Sequence, residues 1–337
     1  MLTVAKTDVP ALLEAIAAQR RLIAPIEDRM GTSFGEVSDP AAVRLDYRNT
    51  HLSSKEVVFP QCETLLRFRD DEAEDALSEE RETVLFGVRP CDARALSLLD
   101  RVFTWDGLDD PYYLRRRQGT IVVALACREP GPACFCTSVG GAPAGEAGAD
   151  VLATDLGDRL LLQAVKERGD ALLEDAGVGE AASDADVEAA KQAAESAEAL
   201  LASVKAPTDL ERLRATFDSD VWSELAMGCL GCGACTYSCP TCHCFDITDE
   251  TRKGVGKRVR SWDTCAFPLF TLHGSGHNPR PAKDARLRQR ILHKFLYCPE
   301  NFGEVFCVGC GRCISNCPTG IDLRRILERL EQLVSAA

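Results

Sequence analysis

Two cysteine runs constrain this chain more than any other feature. One reads Cys229-x2-Cys232-x2-Cys235-x3-Cys239-Pro240, and the other Cys307-x2-Cys310-x2-Cys313-x3-Cys317-Pro318. Three cysteines two residues apart can wrap a tight loop around one corner of a cubane. The fourth, at the start of a following helix, is left to reach a second cluster. A zinc ribbon built from C-x2-C pairs needs neither the third step nor the trailing Cys-Pro. The spacing therefore assigns Cys229, Cys232, Cys235 and Cys317 to one [4Fe–4S] cluster, and Cys307, Cys310, Cys313 and Cys239 to another. Small residues between the ligands (Gly228, Gly231, Gly233, Ala234, Gly309, Gly311) are expected to let backbone N–H groups approach the sulfides.

The chain has more thiols than two clusters need. The stretch CLGCGACTYSCPTCHC, from Cys229 to Cys244, already holds two beyond the first run, Cys242 and Cys244. They are expected to face away from the ferredoxin core and, with Cys265 and Cys298, to close a third site within the insertion 240–306. Buried structural thiols are the plain alternative. His243, His273, His277 and His293 lie in the same stretch and leave a mixed ligand set open. The N-terminal half repeats the arithmetic. Cys91 follows the apolar run TVLFGV (83–88), and Cys127, Cys134 and Cys136 follow TIVVALA (120–126). If these two runs are neighbouring strands of one sheet, both loops sit on one edge, and the helix start beside Cys91 favours an anionic ligand there. A fourth cluster, a zinc site and a bare redox thiol are the readings open for this group. Seventeen cysteines then divide into four groups of four, with Cys62 left over as a packed, neutral thiol. The cofactor expectation is at least two [4Fe–4S] clusters, and three or four if the other groups close.

The fold class expected is an α/β N-terminal domain followed by a mainly helical, bacterial-type dicluster ferredoxin domain with a long insertion. Residues 1–165 form the α/β part, 166–227 a helical connector, and 228–337 the ferredoxin-like part interrupted at 240–306. The pattern in 83–126 is strand, helix from Asp92 to Val102 with Asp92 as cap, a second helix at 110–118, and strand: a crossover unit of a parallel sheet. Residues 150–165 read as a hairpin turning at Leu156-Gly157-Asp158. The start, MLTVAKTDVPALLEAIAAQRRL, reads as an amphipathic helix after a Thr7/Asp8 cap, not as a signal peptide. The Ala/Glu-rich stretch 170–204 and the acidic run 70–82 read as solvated surface, and IDLRRILERLEQLV as a closing helix.

Charge limits the partners. The formal net charge is -13, which opposes general binding to nucleic acid. One segment reverses this: between Arg252 and Lys294 stand eleven Lys/Arg against Asp263 and Asp284. Thiolate-ligated clusters are anionic and gain from such cations, which is a better reading than an acidic partner or nucleic acid. No apolar run approaches the roughly 18–20 residues of a transmembrane helix. Without a signal peptide, a cytoplasmic, reducing location is expected, where many cysteines mean metal before disulfides. No G-x-G-x-x-G or Walker loop is present, so neither flavin nor nucleotide is expected on this chain. No acid–base pair stands out, so no catalytic residue is assigned.

GVRPCDARAL, DPYYLRRRQGTIVVALACREPGPACFC, CLGCGACTYSCPTCHCF, RSWDTCAF, GSGHNPRPAKDARLRQRI and CVGCGRCISNCPTGIDLRRI together resemble the iron–sulfur β subunit of cytoplasmic NAD(P)-linked sulfhydrogenases. The chain is also similar to the A subunit of anaerobic sulfite reductases and to ferredoxin-like subunits of flavin-linked heterodisulfide-reductase complexes. The segment 170–204 departs from that pattern. The resemblance implies an electron wire in a hetero-oligomeric complex. A flavin/NAD(P)-binding subunit would split hydride into single electrons, and this chain would relay them to or from a catalytic redox subunit. Fully cysteine-ligated clusters have no open site for substrate, so catalysis would belong to those partners. Two other readings compete: a cluster with an open or histidine-ligated iron doing chemistry itself, and a nucleic-acid protein with structural clusters.

Overall fold

The computed structural model describes residues 1–29, 31–70, 72–76 and 81–336. The chain begins β1 (Leu2–Ala5), α1 (Val9–Gln19), β2 (Arg21–Asp28), β3 (Gly31–Glu36), β4 (Cys62–Arg69), β5 (Glu72–Asp75) and β6 (Thr83–Val88). It continues α2 (Pro90–Phe103), α3 (Pro111–Gln118), β7 (Thr120–Leu125), β8 (Val151–Asp155), β9 (Arg159–Ala164), α4 (Glu167–Ala176), β10 (Glu180–Ala181) and α5 (Asp184–Ala199). Then follow α6 (Leu210–Ala215), α7 (Val221–Ala226), α8 (Ala234–Tyr237), β11 (Phe245–Arg252) and β12 (Val255–Trp262). The last elements are α9 (Lys283–Leu292), α10 (Cys298–Phe302), α11 (Arg312–Ser315) and α12 (Leu323–Ala336). They form two compact units: Met1–Val58, Glu80–Ser203 and Val308–Gly311 in the first, and Phe59–Glu79, Val204–Cys307 and Arg312–Ala337 in the second.

The first unit is built on a sheet of order β10-β1-β9-β8-β7-β6-β2-β3. β2, β6, β7 and β8 run parallel, and the outer pairs are antiparallel. β6 and β7 are buried along their whole length, as strands covered on both faces must be. On one face Val84, Phe86, Ile121 and Val123 pack with Leu12, Leu13 and Ile16 of α1 and Leu172 of α4. α2 and α3 supply the other cover, with Leu96, Leu99 and Tyr113 fully buried. The strand–helix–helix–strand reading of 83–126 is what forms, and 151–164 is the expected hairpin. Two details differ. Arg89 is the N-cap of α2, because Pro90 starts the helix, so Asp92 lies inside its first turn. Residues 2–5 form a strand ahead of α1, pairing with β9.

The second unit is less helical than expected. Beside α6–α12 it holds an antiparallel sheet, order β11-β12-β4-β5. Its central pairing joins 62–69 to 255–262, with Arg260 and Glu63 forming a buried ion pair at 2.6 Å and Trp262 stacked on Phe59 at 5.8 Å. The long-range partner hides this sheet from sequence reading, since neither strand has an adjacent apolar mate. Of the acidic run 70–82, residues 72–75 form an exposed edge strand, and residues 71 and 77–80 lie outside the described residues. Cys62 is exposed at the start of β4, not packed; Ser261 Oγ donates to its sulfur at 3.6 Å. α9 passes into a π-helical turn, His293–Tyr297, and then α10.

Candidate metal centres

The first run enters on a loop ending in α8, with Gly231 and Gly233 at positive φ (+68° and +77°). This left-handed backbone, open to glycine without strain, curls the loop so that its thiols converge. Cys229, Cys232, Cys235 and Cys317 line one cavity in the second unit, with Ala266, Leu287 and Arg290 as walls. Cys313 lines it too. The fourth cysteine of the second run thus shares this cavity with the first run. Gly231 N–H donates to Cys229 Sγ at 3.4 Å and Ile321 N–H to Cys317 Sγ at 3.3 Å, as expected of backbone close to thiolates. Cys232 is exposed.

A second cavity in this unit brings together Cys242, Cys244, Cys265 and Cys298, with His243 and His293 among its walls. The four cysteines of the insertion therefore share one site. Burial, then the charges of Lys294 and Arg280, hold the His293 imidazole down to about 4, so it is neutral at pH 7. Burial pushes Cys298 up to about 12. Cys265 is raised, first through its hydrogen bond with Cys244 and then by burial. His273 and His277 pack on each other, ring centroids 5.3 Å apart, and are not among the residues lining this cavity. Cys242 does not turn wholly from the ferredoxin core. Its hydrogen bond with Cys239 is the largest influence holding the Cys239 thiol well below its ordinary range; burial opposes this, and Lys294, Thr241 and Arg290 add to it.

Arg290 and Lys294, one helical turn apart, stand between these sets. Arg290 lines both cavities. Burial opposes its charge, but the thiolates of Cys235, Cys313, Cys242 and Cys239 raise it well above the usual value. Lys294 Nζ donates to Thr241 Oγ1 at 2.8 Å and Phe306 O at 3.1 Å, and the π-helical turn carries it there. Burial opposes its charge also, and Cys239 and Cys242 outweigh it. Arg290 Nε and Arg286 Nε are buried and have no hydrogen-bond partner among the described residues. Orphaned guanidinium donors beside cysteine-lined cavities fit a group carrying anionic sulfur. The basic segment of the sequence thus resolves, in part, into buried cations facing thiols.

In the first unit, Cys91 is in the first turn of α2 beyond β6, and Cys127 follows the adjacent parallel strand β7. Burial, then the charges of Cys127 and Cys134, push Cys136 up to about 12, so these three thiols are neighbours. Residues 308–311 belong to this unit. Phe135 N–H donates to Gly309 O at 2.9 Å, Cys134 Sγ donates to Cys310 O at 3.6 Å, and Asn49 Nδ2 donates to the same carbonyl at 2.9 Å. The glycines here do more than expose amides. A Cβ on Gly309 would fall 2.6 Å from the Cys136 backbone, and one on Gly311 2.7 Å from that of Ala133. Sequence reasoning missed this docking, and no local signal could have revealed it. Among the described residues no three His, Cys, Asp or Glu side chains close around a single ion. A cubane presents four separate irons and spreads its ligands more widely than one ion does.

Cysteine-lined cavities, backbone donors to sulfur and buried cations define an iron–sulfur protein. In agreement, the sequence pattern of the 4Fe-4S dicluster domain matches residues 228–321. The chain is 31% identical over 326 residues to the sulfhydrogenase 2 subunit beta of Pyrococcus furiosus, covering 96% of each protein. It belongs to the sulfhydrogenase β-subunit family. No solved structure matches it significantly. Among the described residues no helix is long and apolar enough to cross a membrane.

Proposed function

We propose that the chain is an electron relay carrying four [4Fe–4S] clusters. Their ligands are Cys229/232/235/317, Cys239/307/310/313, Cys242/244/265/298 and Cys91/127/134/136. The observation that carries this reading is the seat of Cys310 on the N-terminal cysteine loop, Cys134 Sγ lying 3.6 Å from its carbonyl oxygen. The loops that carry these ligands are also joined by the Phe135 N–H···O=C bond to Gly309 at 2.9 Å, which gives a short path for single electrons. The buried charges of Arg290 and Lys294 support the same reading, since a cation close to a cluster stabilises its reduced, more negative form. When bound, the clusters supply one-electron chemistry; the chain holds them, screens their charge and excludes water.

The proposed partners, in a hetero-oligomeric cytoplasmic complex, are a flavin subunit that handles NAD(P)H and a terminal redox enzyme; membership of a sulfhydrogenase subunit family supports this reading. The exposure of Cys232 supports the first-run cluster as an outer terminus, with Leu230 65% exposed beside it. The test is EPR and iron analysis of anaerobically purified protein. About sixteen iron atoms per chain are expected from four cubanes. The reduced spectrum should show spin coupling that simplifies in Cys91→Ser. About eight iron atoms, or stoichiometric zinc, would leave only the ferredoxin pair. The isolated chain should not oxidise NAD(P)H, and stoichiometric bound flavin would overturn this division of labour.

A further inference from the structure

A cavity of about 790 Å³ opens in the first unit, beside the loops that carry Cys91 and Cys127. It lies at the carboxyl ends of three adjacent parallel strands: Arg89 follows β6, Leu125 ends β7 with Ala126 next, and Asp155 ends β8. Ligands of open α/β sheets gather at that edge, and the volume falls in the ~300–1,000 Å³ range of small-molecule pockets. No cysteine lines it.

Arg89 is the unexplained group. It is only 6% exposed, yet among the described residues it has no carboxylate partner. One terminal nitrogen donates to Leu125 O at 3.3 Å and Ala126 O at 3.1 Å, and the guanidinium lies 4.1 Å from the Tyr47 ring centroid. Its Nε has no hydrogen-bond partner among the described residues. Carbonyls and a ring fix the guanidinium's position without neutralising it, and a buried charge without a counter-ion is costly unless a ligand supplies one. The other cations of the cavity are engaged. Lys6 pairs with Asp155 at 2.9 Å, Arg128 with Asp155 at 3.7 Å, Arg48 with Glu129 at 3.2 Å, and Arg44 with Glu27. Asp46 also lines the cavity, so cations outnumber acids five to three.

We propose that this cavity binds a small organic anion whose oxyanion head, carboxylate or phosphate, is received by Arg89, with Arg48 and Arg128 near the rim. The guanidinium fork matches both head groups. The site is independent of the electron relay and of the number of clusters.

The test uses the anaerobically purified, iron-loaded full chain. Calorimetric titration and thermal shift are read with citrate, AMP and inorganic phosphate, with adenosine as the uncharged control. Saturable binding of citrate or AMP, and none of adenosine, is expected; whichever binds identifies the head group. Arg89→Gln should weaken binding at least tenfold. Arg89→Lys, which keeps charge but loses the fork, should fall between. Because Arg89 also braces two strand ends, Arg128→Glu, with a side chain 58% exposed, provides a variant that should fold and weaken binding several-fold. Failure of all three anions to bind overturns the proposal. So does unchanged binding in both Arg89→Gln and Arg128→Glu. So does a shift of cluster potential in Arg89→Gln with no anion binding by the wild type, which would confine Arg89 to the nearby thiolates.

Discussion

The two ferredoxin runs share spacing, paired glycines and the trailing Cys-Pro, but they are packed in opposite ways. Gly231, Gly233, Gly309 and Gly311 all have positive φ, from +62° to +77°. The loop shape is therefore common. Beyond the loop the two diverge. A Cβ on Gly233 would stand 3.2 Å from side-chain atoms of Phe267 and Thr264, which can yield. A Cβ on Gly309 would strike backbone at 2.6 Å, which cannot. Cys232 is exposed, whereas Cys310 is buried against Cys134. On the proposed relay, one motif thus serves both as an outward terminus and as an inward junction. Cluster chemistry dictates the spacing; the neighbours dictate which role a copy takes.

Cys310→Ser against Cys232→Ser is the strongest way to break this contrast. The junction variant should lose iron from its own cluster and disturb the N-terminal one, up to about eight atoms, while the terminus variant loses about four. Equal losses would end the junction reading. Next come the sites outside the runs. Cys265→Ser and Cys91→Ser should each remove about four iron atoms and spare the dicluster signals, and Cys62→Ser should remove none. Unchanged iron in Cys265→Ser would withdraw the third cluster, and matching behaviour of Cys91→Ser and Cys62→Ser the fourth. A stability difference should follow between glycines. Left-handed strain costs about 1–2 kcal/mol in both Gly233→Ala and Gly309→Ala. Backbone overlap should take Gly309→Ala to about 3 kcal/mol or beyond. Anaerobic thermal unfolding reads this, and coincident transitions would deny the docked loop its steric role. The smallest effect is electronic. Lys294→Met removes a buried cation, so the reduced cluster is less stabilised and a midpoint potential should fall by about 60 mV, a tenfold change for one electron. A potentiometric EPR titration showing no change, or a rise, would remove Lys294 from the tuning of the clusters.

Much of the candidate site was legible because metal ligation is written in spacing. Ligand arithmetic alone puts Cys317 with the first run and groups Cys242, Cys244, Cys265 and Cys298, and each of these sets lines one cavity. Fully buried strands such as TVLFGV and TIVVAL were legible because a parallel sheet leaves no polar alternation in them. Cys62 was misjudged because an exposed thiol at a strand start looks, in sequence, like a packed one. Asp92 was misjudged because an N-cap preference yields to a proline that begins the helix two residues earlier.

By itself, the sequence determined the chemistry that can be held: two iron–sulfur runs, surplus thiols beyond them, and cations near 290. Those properties are local, set by spacing along a loop or one turn of a helix. Only the tertiary structure decided that 62–69 pairs with 255–262 and that residues 308–311 seat on 133–136. Tertiary packing also placed Arg89 in a large cavity, without a carboxylate partner among the described residues. Each of these joins segments far apart in the chain, where the gain comes from burial and complementary shape, and no local pattern encodes which distant surface will supply it.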